Sequence, residues 1–327
     1  MVKIWEKKMD RRKFFKFSAV GLATPVLASA SPNSQGSNSK KMMSIIDLDL
    51  CDGCAGKEMP ECVKACKIKN ESRFPVPNHP IMDYWPQTKH EDYSDKKGNI
   101  SRLTPYNFTF VQSVEVGGKK VFVPRRCMHC DNPPCQKLCP FGVISKSEQG
   151  AVDIDEKFCF GGAKCRDVCP WGIPQRQGGV GLYLKIAPKF AGGGAMFKCD
   201  MCADLLAKGE NPVCEVGCPK KAIKFAPKDE IMALLKDEKR HIYGLNENGG
   251  TATVYISSVP FEEIDKALNK KFEGKNRMGN PHLKRVKNPL ENSQTLATAT
   301  LLAPLAGAMA AGIAVYKNVK TSQKDEK

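Results

Sequence analysis

The chain has 327 residues, 41% hydrophobic and 26% charged, a globular balance that excludes a wholly disordered chain and a multi-span membrane protein. Its 51 Lys and Arg against 35 Asp and Glu leave a net charge of +16, which would call for a polyanionic partner if nothing inside the protein offset it. Fifteen cysteines are far above ordinary usage, and an odd number excludes complete pairing into intramolecular disulfides, so metal binding becomes the leading explanation.

Residues 1–30 have the form of an export signal: seven Lys or Arg between Lys3 and Lys16, an uncharged stretch Phe17–Ala30 and a small-x-small ending Ala28-Ser29-Ala30. The stretch is too short to span a bilayer. The run Asp10-Arg11-Arg12-Lys13-Phe14-Phe15-Lys16 resembles the twin-arginine signal that exports folded, cofactor-loaded proteins. Removing residues 1–30 takes away seven basic and two acidic groups and leaves a surplus of eleven. A polar linker, residues 31–42, follows without core-forming residues until its end.

Four cysteine groups come next. The first, behind a predicted strand Met43–Leu50, is Cys51, Cys54, Cys62, Cys66. Phe74–Tyr106, rich in Pro, Asp and Lys, then interrupts the pattern as an insertion, either a surface loop or a docking element whose aromatics are Tyr84, Trp85 and Tyr93. A predicted strand Val121–Arg126 leads to Cys127, Cys130, Cys135, Cys139, then Pro140; Ala151–Asp155 leads to Cys159, Cys165, Cys169, then Pro170. Ala195–Lys198 leads to Cys199, Cys202, Cys214, Cys218, then Pro219. Each group opens with C-x2-C or its remnant and closes with C-x3-C, and three of the four end in Cys-Pro. Thiolates two residues apart on a tight turn hold adjacent corners of an iron–sulfur cube, and the closing cysteine turns toward a second cluster. Short helices are predicted after each Cys-Pro, with the closing cysteine at their start. Disulfide frameworks and zinc ribbons do not produce this repeat.

A strand Thr251–Ser257 and an amphipathic helix Phe261–Phe272 are predicted beyond the last group. Asn292–Tyr316 holds 25 residues without a charge, of which Leu296–Tyr316 is long enough to cross about 30 Å as a helix. Ala299, Ala303, Gly307 and Ala311 repeat at the spacing that lets helices approach in lipid. Lys317, Lys320, Lys324 and Lys327 then place the tail in the cytoplasm and the cysteine-rich body outside. The glycine runs Gly178-Gly179-x-Gly181 and Gly192-Gly193-Gly194 lack the arrangement of a nucleotide loop. His79, His90, His241 and His282 form no spaced pair, and His129, between two cysteines, reads as a neighbour of ligands.

Four such groups in this order resemble the ferredoxin-type electron-transfer subunits of membrane-bound respiratory enzymes. That family includes partners of formate dehydrogenase, dimethyl sulfoxide and nitrate reductases, polysulfide reductase-like enzymes and [NiFe] hydrogenases. The resemblance covers residues 43–226. It implies crossed groups: Cys51, Cys54, Cys62 and Cys218 on one [4Fe-4S] cluster, Cys66, Cys199, Cys202 and Cys214 on a second, and Cys127, Cys130, Cys135 and Cys169 on a third. Cys139, Cys159 and Cys165 remain for a fourth, where Gly162 stands in place of the expected cysteine. A cubane short of one protein ligand tends to lose that iron, so this site reads as [3Fe-4S], with [4Fe-4S] completed by water or Asp167 as the alternative. Four thiolate-bound sites would carry about −8 in all, which consumes much of the basic surplus. Arg125, Arg126, Arg166 and Lys198, which border ligand cysteines, are candidates to hold that charge, and Phe141 and Trp171, after Cys-Pro, to exclude water.

The reading is an α+β fold of two pseudo-symmetric dicluster ferredoxin-like modules (43–226, insertion 74–106), an extension and linker 227–291, one transmembrane anchor 292–317 and a cytoplasmic tail 318–327. Its function is electron transfer between a periplasmic catalytic subunit, a [NiFe] hydrogenase or a molybdenum or tungsten oxidoreductase, and a quinone-reactive membrane subunit. The alternatives are a stand-alone oxidoreductase acting at the three-cysteine cluster and a non-redox zinc or disulfide membrane protein. No nucleic-acid motif accompanies the charge.

Overall fold

A computed structural model describes residues 41–81, 91–186 and 194–288, and within them all five predicted strands form with shifted ends. The signal, most of the linker, Tyr84, Trp85, His90, Gly192, Gly193 and the predicted span lie outside the described residues. Among the described residues no helix is long and apolar enough to cross a membrane.

In chain order the elements are β1 (Met42–Asp47), α1 (Glu61–Lys69), β2 (Phe110–Val116), β3 (Lys119–Arg125), α2 (Pro134–Lys137), β4 (Ile144–Lys146) and β5 (Val152–Ile154). There follow α3 (Lys164–Asp167), β6 (Gln175–Gly178), α4 (Leu182–Ile186), β7 (Gly194–Phe197), α5 (Ala203–Leu206) and α6 (Val213–Val216). The last are β8 (Ile223–Pro227), α7 (Lys228–Lys236), β9 (His241–Tyr243), β10 (Thr253–Ser257) and α8 (Phe261–Lys271).

The strands make one four-stranded sheet, ordered β8-β1-β10-β9, and three hairpins, β2-β3, β4-β5 and β6-β7. β1 runs parallel to β10 and antiparallel to β8. Strands from both sides of residue 226 therefore share one sheet, and the segment beyond that boundary is built into the body. α7 closes one face by burying Ile231 and Leu235 over Met43, Ala226, Val254 and Ile256. α8 places Phe261, Ile264 and Leu268, spaced as one helical stripe, into the main core.

The structure corrects the placement of the short helices. They lie before each Cys-Pro: α2 ends two residues short of Cys139, α3 two short of Cys169 and α6 two short of Cys218. Proline lacks an amide donor and disfavours helical geometry in the residue before it, so Cys-Pro ends the helix. Five helices, α1, α2, α6, α7 and α8, instead start directly after a proline, Pro60, Pro133, Pro212, Pro227 and Pro260.

The described parts of the insertion are packed against the body. Asn78 and His79 amides donate to Gly179 O at 3.0 and 3.3 Å, and Gly178 N–H donates to Glu91 O at 2.8 Å. Tyr93 is half-buried: Arg102 lies over its ring at 5.5 Å, and its hydroxyl donates to Met278 Sδ at 3.4 Å.

Candidate metal centres

None of the fifteen cysteines is paired in a disulfide, and two sets of four line separate cavities. Cys51, Cys54, Cys62 and Cys218 border one (site one); Cys127, Cys130, Cys135 and Cys169 border the other (site three). Cys66 lies where the charges of Cys199, Cys214 and Cys202 reach it (site two), and Cys165 neighbours Cys159 and Cys139 (site four).

Strand register explains how groups distant in sequence meet. Antiparallel β1 and β8 pair Ile46 with Ile223, and Cys51 and Cys218 each lie five residues beyond that pair. Antiparallel β5 and β4 pair Ile154 with Ile144, and Cys159 and Cys139 lie five residues beyond them. The two halves thus repeat one device with the same offsets.

The loops repeat as well. The second residue after each opening cysteine has left-handed backbone: Gly53 (φ 65°), His129 (φ 48°), Gly161 (φ 75°) and Met201 (φ 62°). In each loop that residue's amide donates to the opening cysteine's sulfur, at 3.4 Å for Met201 to Cys199 Sγ. The arrangement is an anion nest. Behind the closing cysteines, Ala222 N–H donates to Cys218 Sγ at 3.3 Å and Ile173 N–H to Cys169.

The C-x3-C spacing acts as a bridge. Cys62 and Cys66 lie one turn apart on α1 and face sites one and two; Cys214 and Cys218 on and just past α6 return the link. Cys135 and Cys139, and Cys165 and Cys169, join sites three and four the same way. Cys62 feels Cys214, Cys199 feels Cys127, and Cys135 feels Cys139, so the sites form a row one-two-three-four. Site one is the most open, with Cys51, Cys54 and Cys218 half-buried; sites three and four have one half-buried thiol each, Cys169 and Cys139, and all four thiols of site two are buried.

Several side chains reach the sulfurs. Arg126 Nη1 donates to Cys214 Sγ at 3.1 Å, Asn248 Nδ2 to Cys130 Sγ at 3.1 Å and Asn70 Nδ2 to Cys66 Sγ at 3.5 Å. Asn70 could have been found from its place four residues after Cys66, but Asn248 lies far along the chain and carries no local signal. Burial, with Lys198, Arg126 and Lys146 nearby, holds the His129 imidazole well below its ordinary value, so it is neutral. Lys198 borders the site-three cavity. Of the other two cations beside cysteines, Arg166 pairs bidentately with buried Glu91 at 2.7 and 2.8 Å, and Arg125 donates to His282 O at 2.8 Å and stacks over Tyr255. Trp171 is buried at the site-three cavity, as a water barrier requires, but Phe141 stands 45% exposed, stacked on Phe160 at 4.8 Å. His79, His241 and His282 sit in separate segments.

Residues 50–143 match one family described as a 4Fe-4S dicluster domain, and residues 119–228 match a second with the same description. The B subunit of anaerobic dimethyl sulfoxide reductase from Escherichia coli K12 is 32% identical over 186 residues, covering 57% of this chain and 73% of that subunit. The chain belongs to the iron–sulfur electron-transfer subunits of respiratory oxidoreductases. The hydrogenase-2 operon protein HybA of Escherichia coli O157:H7 is 26% identical over 305 residues, 79% of this chain and 83% of its own. A protein of Nitratidesulfovibrio vulgaris is 27% identical over 269 residues, and the match spans 77% of this chain and 65% of that protein.

The donor set fits such a family. Burial pushes the thiols up, Cys51 to about 11 and Cys202 to about 12, and neighbouring thiolates push in the same direction. Four thiolates gathered in one cavity therefore require a cationic group among them, and the inward amides suit the sulfides of a cluster. No three described Cys, His, Asp or Glu side chains converge to hold a single ion; at sites one and three the sulfurs surround a space instead. At site four the position equivalent to Cys54 is Gly162, where an added Cβ would meet only Phe160 Cδ1 at 3.9 Å.

Proposed function

We propose that the chain relays electrons through three [4Fe-4S] clusters and one [3Fe-4S] cluster between a catalytic subunit and a quinone-reactive membrane subunit. The [4Fe-4S] clusters belong to sites one, two and three with four cysteines each, and the [3Fe-4S] cluster to site four, with Cys139, Cys159 and Cys165. The observation that carries the reading is the succession of four thiol sites, one-two-three-four, each joined to the next or back by cysteines one turn apart or by neighbouring thiols, with site two fully buried and site one the most open. When bound, the clusters supply one-electron redox chemistry. The chain's residues hold them in sequence: one-turn helices fix neighbouring sites to each other, amides and Arg126 compensate sulfur charge, and Trp171 excludes water.

The twin-arginine signal and the span 292–317 support a position on the periplasmic side of the bacterial inner membrane, with the segment 318–327 in the cytoplasm. The relatives named for a hydrogenase operon and for dimethyl sulfoxide reductase support a [NiFe] hydrogenase or a molybdenum or tungsten oxidoreductase as the catalytic partner. The test is the metal content and electron paramagnetic resonance of the complex that co-purifies with this chain from gently solubilised membranes. Iron with a resonance in the oxidised state is expected. Nickel assigns the partner to the hydrogenases, molybdenum or tungsten to the other branch, and absence of iron and acid-labile sulfide overturns the reading.

A further inference from the structure

The four opening cysteines are preceded by Leu50, Arg126, Phe158 and Lys198. At the outer sites the preceding residue is apolar and half exposed, Leu50 at 51% and Phe158 at 50%; at the inner sites it is a cation buried to 3%. β3 and β7 end just before these cations and direct them into the interior. Neither cation reaches the site of the cysteine beside it in sequence alone; each acts across the junction of the two halves.

Arg126 precedes Cys127 of site three, yet its guanidinium donates to Cys214 Sγ at 3.1 Å, and its charge falls first on Cys214 and Cys199 of site two, while it also reaches Cys127. Ser44 Oγ at 2.6 Å and the Phe225 ring at 4.6 Å hold it there. Lys198 precedes Cys199 of site two, yet it borders the site-three cavity, anchored on the carbonyls of Val152 and Cys199, and its charge falls first on Cys127, then on Asp153 and Cys135, and least on Cys199. Among the described residues neither forms an ion pair with a carboxylate, in contrast to Arg166 and Arg176, which share Glu91. Asp153 and Glu215 feel Lys198 and Arg126 only at longer range, so no contacting carboxylate holds either charge. A third residue crosses the same way: Val152 N–H donates to His129 Nδ1 at 3.0 Å, which leaves the ring proton on Nε2, 3.6 Å from Cys199 Sγ.

We propose that the two inner sites exchange charge partners, Arg126 raising the reduction potential of site two and Lys198 that of site three. The inference rests on the proposed function, because it needs redox clusters at those sites. Reduction adds a negative charge, a nearby cation stabilises that state, and a water-poor interior strengthens the effect. Pairing each half's cation with the other half's site ties both potentials to correct docking of the halves.

The test is a redox titration followed by electron paramagnetic resonance on the full chain in its membrane complex, with the two signals assigned beforehand through Cys202→Ser and Cys130→Ser. Arg126→Gln is expected to disfavour reduction of site two at least tenfold, about 59 mV for one electron, and to shift site three by much less. Lys198→Gln is expected to do the reverse. Arg126→Lys keeps the charge and recovers most of the loss, which a role in shape alone would not allow. Where a glutamine variant takes up no iron, Arg126→Lys and Lys198→Arg decide instead, each moving the crossed site more than the adjacent one. Shifts that follow the sequence neighbour, equal shifts at both sites or no shift overturn the inference, whereas loss of all iron signals from the unsubstituted protein overturns the proposed function.

Discussion

Gly161 and Gly162 are adjacent and have opposite constraints. Gly161 has φ 75°, and a Cβ there would come within 2.4 Å of Gly194 O, so Gly161→Ala combines left-handed strain with a backbone clash. It is expected to destabilise the protein by more than about 2 kcal/mol, read as a lowered denaturation midpoint. Gly162 has ordinary backbone and space for a side chain. Gly162→Cys is therefore expected to fold, to add a fourth thiolate at site four and to abolish the resonance of the oxidised protein. Persistence of that resonance at unchanged iron content would show that the loop does not aim this position at the site. Its left-handed residues, Gly161 and Ala163, already differ in spacing from Gly53 and Cys54 of site one. The missing cysteine was legible because the motif repeats and fifteen others could be counted around it; the geometry of the loop was not, since φ depends on what the backbone meets, here β7.

Elements show where sequence reading stops. Four of the five predicted strands carry apolar residues next to cysteine groups, but the partners β4, β6 and β9 have only three or four residues, and β6 reads Gln-Arg-Gln-Gly, buried at every position. No amphipathic period marks such a strand. Its burial becomes understandable once the insertion brings Glu91 to it: Arg176 on β6 and Arg166 on α3 both reach that carboxylate, at 3.0 and 2.7 Å. Burial raises the Glu91 carboxyl, but the two guanidiniums outweigh it and hold it below its ordinary value of 4.5. Because the folded value is depressed, this stabilisation is complete above pH 4.5 and fades as pH falls through the folded value. Glu91→Gln strands two buried cations and is expected to cost about 3 kcal/mol at neutral pH, with the deficit constant from pH 7 to 5 and shrinking below 4.5 when denaturation midpoints of the two proteins are compared. β9 is tied in by another buried contact, Trp171 Nε1 donating to Tyr243 Oη at 2.7 Å, whose hydroxyl donates to Lys284 O at 2.9 Å. Tyr243→Phe orphans that indole donor and is expected to lower stability by about 2 kcal/mol without removing any thiol.

At the scale of the whole molecule, two regions should depend differently on iron. Four of the eight α-helices among the described residues, α2, α3, α5 and α6, are four residues long, and three of them carry a buried cysteine. Isolated helices shorter than about 12 residues are marginal in water, so these one-turn segments rely on what their cysteines bind. The sheet β8-β1-β10-β9 has its own apolar contacts with α7, built from Met43, Ala226, Ile231, Leu235, Val254 and Ile256, and none of these is a ligand candidate. Removing iron with a chelator under reducing conditions is thus expected to give partial loss of structure. Amide exchange should become fast through α2, α3 and α6, while β1 and β10 keep slow amides. The same fast exchange in β1 and β10 would show that the sheet does not stand without its clusters, because β1 and β8 both end at site one and derive their register from being joined there through Cys51 and Cys218.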